Sequence, residues 1–132
     1  MSIKINRHLL SSSSNGEPLG VTVTTPGTAV IVHQAPAGTD SIDVVHLWGH
    51  GTGANGNVRL LISPDGSQPT NDTYRVLLKT CDSAGEDAIS NPGAFRLGGL
   101  FHLQDGAAIY AYVAFAAIVI NVYGYADRIY NG

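Results

Sequence analysis

His46 and His50 are the first residues of this 132-residue chain whose type and spacing suggest chemistry, because a pair of imidazoles can hold a zinc ion. Four residues apart on a helix, they would share a side. Their surroundings, Val44-Val45-His46-Leu47-Trp48, read as a strand, where the same spacing is about 13 Å. Zinc ligands each sit about 2.0–2.1 Å from the metal, so the pair makes no site by itself. Cys81 is the only cysteine. A nucleophile needs a base and an orienting group, and no elbow motif or following helix start marks this one. It reads as a small buried residue at a strand end. Asp82, Glu86 and Asp87 lack the regular Asp-x-Asp-x-Asp-Gly of a calcium loop, and Asp65 and Asp105 precede glycines as solvated turn residues do. Gly49-x-Gly51-x-Gly53 has neither the lysine nor the helix of a phosphate loop and reads as a turn. No catalytic set, metal site or cofactor site emerges, and the chain reads as something other than an enzyme.

The aromatic residues form the remaining candidate. Trp48, Tyr110, Tyr112, Tyr123 and Tyr125 suit either a sugar-binding face or a subunit contact, where a tyrosine buries its ring and its hydroxyl finds a partner. Most of them lie on the last two expected strands, which favours the contact. From Ala107 to Tyr125 the pattern is apolar on both strand faces: Ile109, Ala111 and Val113 take one, Tyr110, Tyr112 and Ala114 the other. A small sandwich has one core. The second apolar face is therefore expected to meet copies of the same chain.

The elements that position these residues are strands throughout. Apolar runs alternate with turn signals from Leu19 onward: Val21–Thr24, Ala29–Gln34, Ser41–Trp48, Asn57–Ser63, Tyr74–Lys79, Ala94–Leu97 kinked into Leu100–Leu103 at Gly98-Gly99, Ala107–Ala114 and Ala117–Tyr125. A glycine-rich turn from Gly49 to Gly56 joins the third and fourth. Residues 81–93 are irregular, with room for a helical turn from Ser83 to Ile89. The spacing predicts an all-β antiparallel β-sandwich, jelly-roll-like, of eight or nine strands with an N-terminal arm; an immunoglobulin-like sandwich is the alternative. The organisation read from the chain is an arm and connector over 1–16, then a sandwich domain over 17–132. An ordinary first strand joined by a polar loop is the other reading of the arm.

Composition points the same way. Charged residues are 13% of the chain, about half the usual fraction, so part of the surface is expected to be covered by a partner. The first sixteen residues carry Lys4 and Arg7 and no acid, whereas the remainder holds five basic and ten acidic residues. An acidic body argues against nucleic acid as a partner. No apolar run reaches membrane-spanning length without a polar break. The basic arm, with Ile3, Lys4, Ile5 and Arg7, suits docking on a neighbour, by adding a strand to an exposed edge.

Thr39-Asp40-Ser41-Ile42-Asp43-Val44-Val45-His46-Leu47-Trp48, the return strand Val58-Arg59-Leu60-Leu61-Ile62 and the ending Val122-Tyr123-Gly124-Tyr125-Ala126-Asp127-Arg128-Ile129 resemble a family of small tailed-bacteriophage virion proteins. The resemblance runs from about Val30 to Ile129. It implies a capsid decoration (cement) protein, a β-sandwich that forms homotrimers on the outer capsid surface of a virion, with the phage major capsid protein as its partner. Gly49-His50-Gly51 and the basic arm depart from what it implies. The rival expectations are a trimeric receptor- or glycan-binding module of a phage fibre and a tail-associated structural protein.

Overall fold

The computed structural model describes residues 2–53, 56–71, 75–81, 95–114 and 118–131. Among them are nine strands: β1 (Ile3–Leu9), β2 (Leu19–Val21), β3 (Val30–Gln34), β4 (Ser41–Gly53), β5 (Gly56–Ser63), β6 (Arg75–Cys81), β7 (Phe95–Leu103), β8 (Ala108–Ala114) and β9 (Ile118–Asn131). The one helical element described is a single 3-10 turn, Pro26–Thr28, opened by its proline. Every strand pair is antiparallel. The first sheet has the order β1-β9-β4-β7, with β2 continuing the β1 edge of β9; the second has the order β3-β8-β5-β6. The all-β sandwich expected from the alternating pattern is the fold.

The period-2 pattern explains the faces. On β4, Asp43, Val45, Leu47 and Gly49 point inward and are buried, while Ile42, Val44, His46 and Trp48 point outward. Val45, Leu47, Ile120, Val122 and Ala126 from the first sheet meet Val58, Leu60, Ile109, Ala111 and Val113 from the second in one core. From β2 the chain passes between sheets at almost every connection, staying in the second sheet only from β5 to β6.

Several elements differ from the sequence reading. Gly49–Gly53 is not a turn. It extends β4, pairing residue by residue with Val122 to Ile118 of β9. Glycine has no side chain to pattern, so a run of it reads as a turn, yet a long apolar partner strand holds it extended. The expected turn at Asn55 lies outside the described residues, and Gly56 already belongs to β5. Because β4 and β5 lie in different sheets, they form no hairpin; the same holds for β8 and β9. Gly98-Gly99 lie within one strand, β7, and its ladder with β4 is interrupted where the kink was expected: Leu97 pairs with Leu47 and Phe101 with Val45, with 98–100 between them out of register. Beyond β2, the Val23 carbonyl accepts the Val113 amide at 2.8 Å instead of continuing a ladder.

The segment expected to leave the body forms β1, paired from Ile3↔Asn131 to Leu9↔Tyr125 with β9 of its own chain. This is the ordinary-first-strand alternative. Residues 10–18 loop out between β1 and β2. Leu10 drops into the core, the Ser13 amide bonds the Leu10 carbonyl at 2.9 Å, and Asn15 and Gly16 turn the chain with positive φ of 55° and 78°. The serine connector is thus a hydrogen-bonded turn. The possible helical turn at 83–89 lies outside the described residues, as do Asp82, Glu86 and Asp87.

Candidate functional site

Around β8, the outer face of the second sheet is covered by its own chain among the described residues. Tyr110 and Tyr112 are buried with Ala29, Leu61 and Ala108, and Val23 and Ile31 pack against them. The loop after β5 forms the roof. The Tyr110 hydroxyl donates to the Gly66 carbonyl at 2.8 Å, and the Gln68 amide bridges the Pro26 and Ala29 carbonyls, both at 3.1 Å. Burial raises the Tyr110 pKa. Tyr110 and Tyr112, expected at a subunit contact, are instead buried within their own chain.

The outer face of the first sheet is the open one. Its cross-strand rows follow from register. Ile5, Ile129 and Ile42 form one row, with Ile3 beyond them at the end of β1. Arg7, Asp127 and Val44 form the next; Leu9, Tyr125 and His46 the third; Tyr123 and Trp48 the fourth. Ile3 is 71% exposed, Ile5 62% and Leu9 53%, with Ile42, Val119 and Tyr123 also open to solvent. Single exposed apolar residues are ordinary, but a continuous set on one flat face is the mark of a contact surface.

Aromatic and charged groups are fixed against one another at the other end of this face. Trp48 and Tyr123 are nearly parallel, 8° apart with ring centres at 6.1 Å. Tyr125 tilts against Trp48 at 5.7 Å and stacks on His46 at 4.7 Å. The Arg7 guanidinium lies 3.9 Å over the Tyr125 ring and grips Asp127 through Nε at 2.9 Å and Nη2 at 3.3 Å. That grip holds the Asp127 carboxyl below its usual range, helped by His46, whose Nε2 is 3.5 Å from Oδ2. Gly124 sits between the two tyrosines, opposite Leu47. A Cβ there would collide with the His46 carbonyl, so glycine permits the close approach of β9 to β4 beneath the aromatic row. Arg7, Leu9, Gly16, Trp48, Tyr123 and Tyr125 line a shallow groove of about 480 Å³.

Of the expected contact residues, this face gathers Trp48, Tyr123 and Tyr125, and it adds Ile3, Ile5 and Arg7 from β1. Lys4 alternates to the other side of the strand. The sequence reading left out Asp127, Leu9, Ile42 and Ile129, and considered His46 only as a metal ligand. Their signal was register: on β9 the outward residues are those in phase with Tyr123 and Tyr125, and Asp127 is the next.

A second cluster lies inside. His33 on β3 and Asp43 on β4 are buried, with His33 Nε2 2.7 Å from Asp43 Oδ2. The Ser11 amide donates to His33 Nδ1 at 3.0 Å, so the ring proton is on Nε2 and donates to Asp43. Arg128 forks onto the same carboxylate through Nε at 2.8 Å and Nη2 at 3.0 Å. Burial lowers the His33 pKa. It would raise that of Asp43, but the bonds from Arg128 and His33 hold it below the ordinary value. Both ring nitrogens are occupied and the imidazole is enclosed, so this is a polar tie between the sheets and offers no base to a substrate. His46 and His50 lie four residues apart along the extended β4, and His46 is committed to Tyr125 and Asp127. Cys81 ends β6 opposite Gly56; its side chain lies outside the described residues. Among the described residues, no group of three potential metal ligands comes together.

Comparison with family models, with curated proteins and with solved structures finds no match to this chain. The functional reading therefore rests on the geometry of the open face.

Proposed function

We propose that this chain is a structural assembly protein, a jelly roll that associates with its own copies through the isoleucine end of the first sheet. The strand order supports the jelly-roll reading: the eight positions β1/β2, β9, β4, β7 and β3, β8, β5, β6 are filled by a chain folded back across two sheets. The observation that carries the assembly reading is the row Ile5–Ile129–Ile42 with Ile3 beside it: Ile3, Ile5 and Ile42 are exposed, Ile129 is half-buried, and Ile3 and Ile5 stand on an edge strand.

Magnitudes favour a closed or lattice-supported assembly over a lone pair. Burying an isoleucine contributes about 1.5–3 kcal/mol, and association costs roughly 4–15 kcal/mol. A patch of three or four such side chains is near break-even. A ring, or many copies seated on a repeating shell, multiplies the gain. This is the setting of a homotrimeric decoration protein on the outer surface of a phage capsid, with the major capsid protein beneath it. The low charge of the chain fits the same reading, as does its acidic body, which does not suit nucleic acid.

Native mass spectrometry tests the assembly. The full chain is expected as trimers, and removal of residues 1–8 is expected to give folded single subunits, because Leu10 and Ser11 anchor the rest independently of β1. Single subunits throughout for the full chain, or trimers that survive the truncation, would reject the reading.

A further inference from the structure

We propose that the aromatic end of the first sheet's outer face is a carbohydrate site that seats one or two pyranose rings of a neutral glycan. The proposal goes beyond self-association and does not depend on it, because it uses the opposite end of the sheet from the isoleucine row. Three features of that end point to sugar.

First, aromatic rings are gathered at one place. Trp48 and Tyr123 are nearly parallel at 6.1 Å between centres, Tyr125 tilts against Trp48 at 5.7 Å, and Tyr123 is 42% exposed. A pyranose has an apolar face of C–H groups that lies against aromatic rings, and a ring of hydroxyls around it. Second, the polar groups at the edge are already oriented. Arg7 is held over Tyr125 and locked onto Asp127, giving a cluster of N–H donors beside a carboxylate acceptor. Hydroxyls can bond to both partners without separating them. A protein surface laid over the same place would have to desolvate this ion pair, which returns little. Third, the groove has the size and lining of a small-molecule site: about 480 Å³, mostly apolar, with a few convergent polar groups.

Neighbouring chemistry differs along the face. Among the described side chains at this end, the one guanidinium, Arg7, is already paired with Asp127. Beyond the ion-pair row the face carries the isoleucines Ile3, Ile5, Ile42 and Ile129, whereas the aromatic end adds Leu9 and Val119 to its rings.

Trp48 is the only tryptophan in the chain, so its emission reports on this site alone. The full chain is titrated with chitotriose, maltotriose, cellotriose and lactose. At least one sugar is expected to give a saturable change in emission, with a Kd of about 1 mM or tighter. Tyr123→Ala, at a solvent-open position, is expected to weaken that sugar at least tenfold with an unchanged circular dichroism spectrum. Ile5→Ser is expected to leave sugar binding intact whatever it does to association, which separates this proposal from the assembly reading. No saturable response to any of the four sugars, or full binding by Tyr123→Ala, overturns the proposal. So does Trp48 emission that changes with protein concentration and not with sugar, since the aromatic end would then be a subunit contact.

Discussion

At the scale of single residues, the most consequential group is Asp43, an acid in phase with Val45 and Leu47 at a core position. Its burial is tolerable because Arg128 and His33 satisfy both carboxylate oxygens. Removing it leaves a half-buried guanidinium and a fully buried imidazole without their acceptor. Asp43→Ala is expected to cost about 3–5 kcal/mol in chemical denaturation. The same cluster sets a pH dependence. The folded His33 pKa lies below 6.5, so the unfolded chain takes up this proton more readily; stability is full above pH 6.5 and falls as the pH drops below it. Asp43, held below 3.8, adds a second loss as the pH falls through that value and lower. Denaturation midpoints measured from pH 8 to pH 4 are expected to decline from about pH 6.5 downward. A flat profile over that range would remove His33 from the account. This cluster was partly legible in advance: an aspartate in step with apolar core residues demands a buried partner. Which partner it finds was not legible, because His33 and Arg128 come from strands ten and eighty-five residues away.

At the scale of elements, the strands that carry a side-chain alternation were readable and the stretches without one were not. β3, β5 and β8 stand within a residue or so of their expected limits, because Val, Ile, Leu and Tyr alternate through them. β4 runs longer than expected because the glycines at 49, 51 and 53 show no pattern and find their order only against Val122 to Ile118. β9 runs longer at its other end, where residues 126–131 lie between β1 and the start of β4. Sheet membership was equally hidden: adjacent strands joined by short turns read as hairpins, yet β4/β5 and β8/β9 cross between sheets. The open face itself was misplaced for the same reason. Tyr110 and Tyr112 look like a spare apolar face until Gly66 is seen to hold the Tyr110 hydroxyl and Val23 and Ile31 to pack against the cluster of both rings. The face that is open combines β1, β4 and β9 from three distant parts of the chain. Gly124 is the element-scale test. A methyl group there strikes the His46 backbone carbonyl, which has no freedom to rotate away. Gly124→Ala is expected to destabilise by about 3 kcal/mol, the upper end for overpacking, and to disturb the Trp48–Tyr125 contact. An unchanged denaturation midpoint would mean that β9 and β4 are less closely apposed than described.

At the scale of the whole molecule, the chain is a sandwich in which the outer face around β8 is covered by its own loops and the outer face of β1, β9 and β4 is open. The open face divides into an aliphatic end, an ion-pair row and an aromatic end, and each end has a chemistry suited to a different neighbour. The low charge that first suggested a partner is concentrated in its effect here, since the isoleucine end of β1, β9 and β4 has no charged side chain among its outward residues. The central claim is that this end is covered by other copies of the chain. Sedimentation equilibrium of the full chain beside the Ile5→Ser, Ile42→Ser double variant tests it most directly. The account predicts trimer mass for the parent and single-subunit mass for the variant, with matching circular dichroism; a parent that stays a single subunit at high concentration, or a variant that keeps the parent's mass, would contradict it.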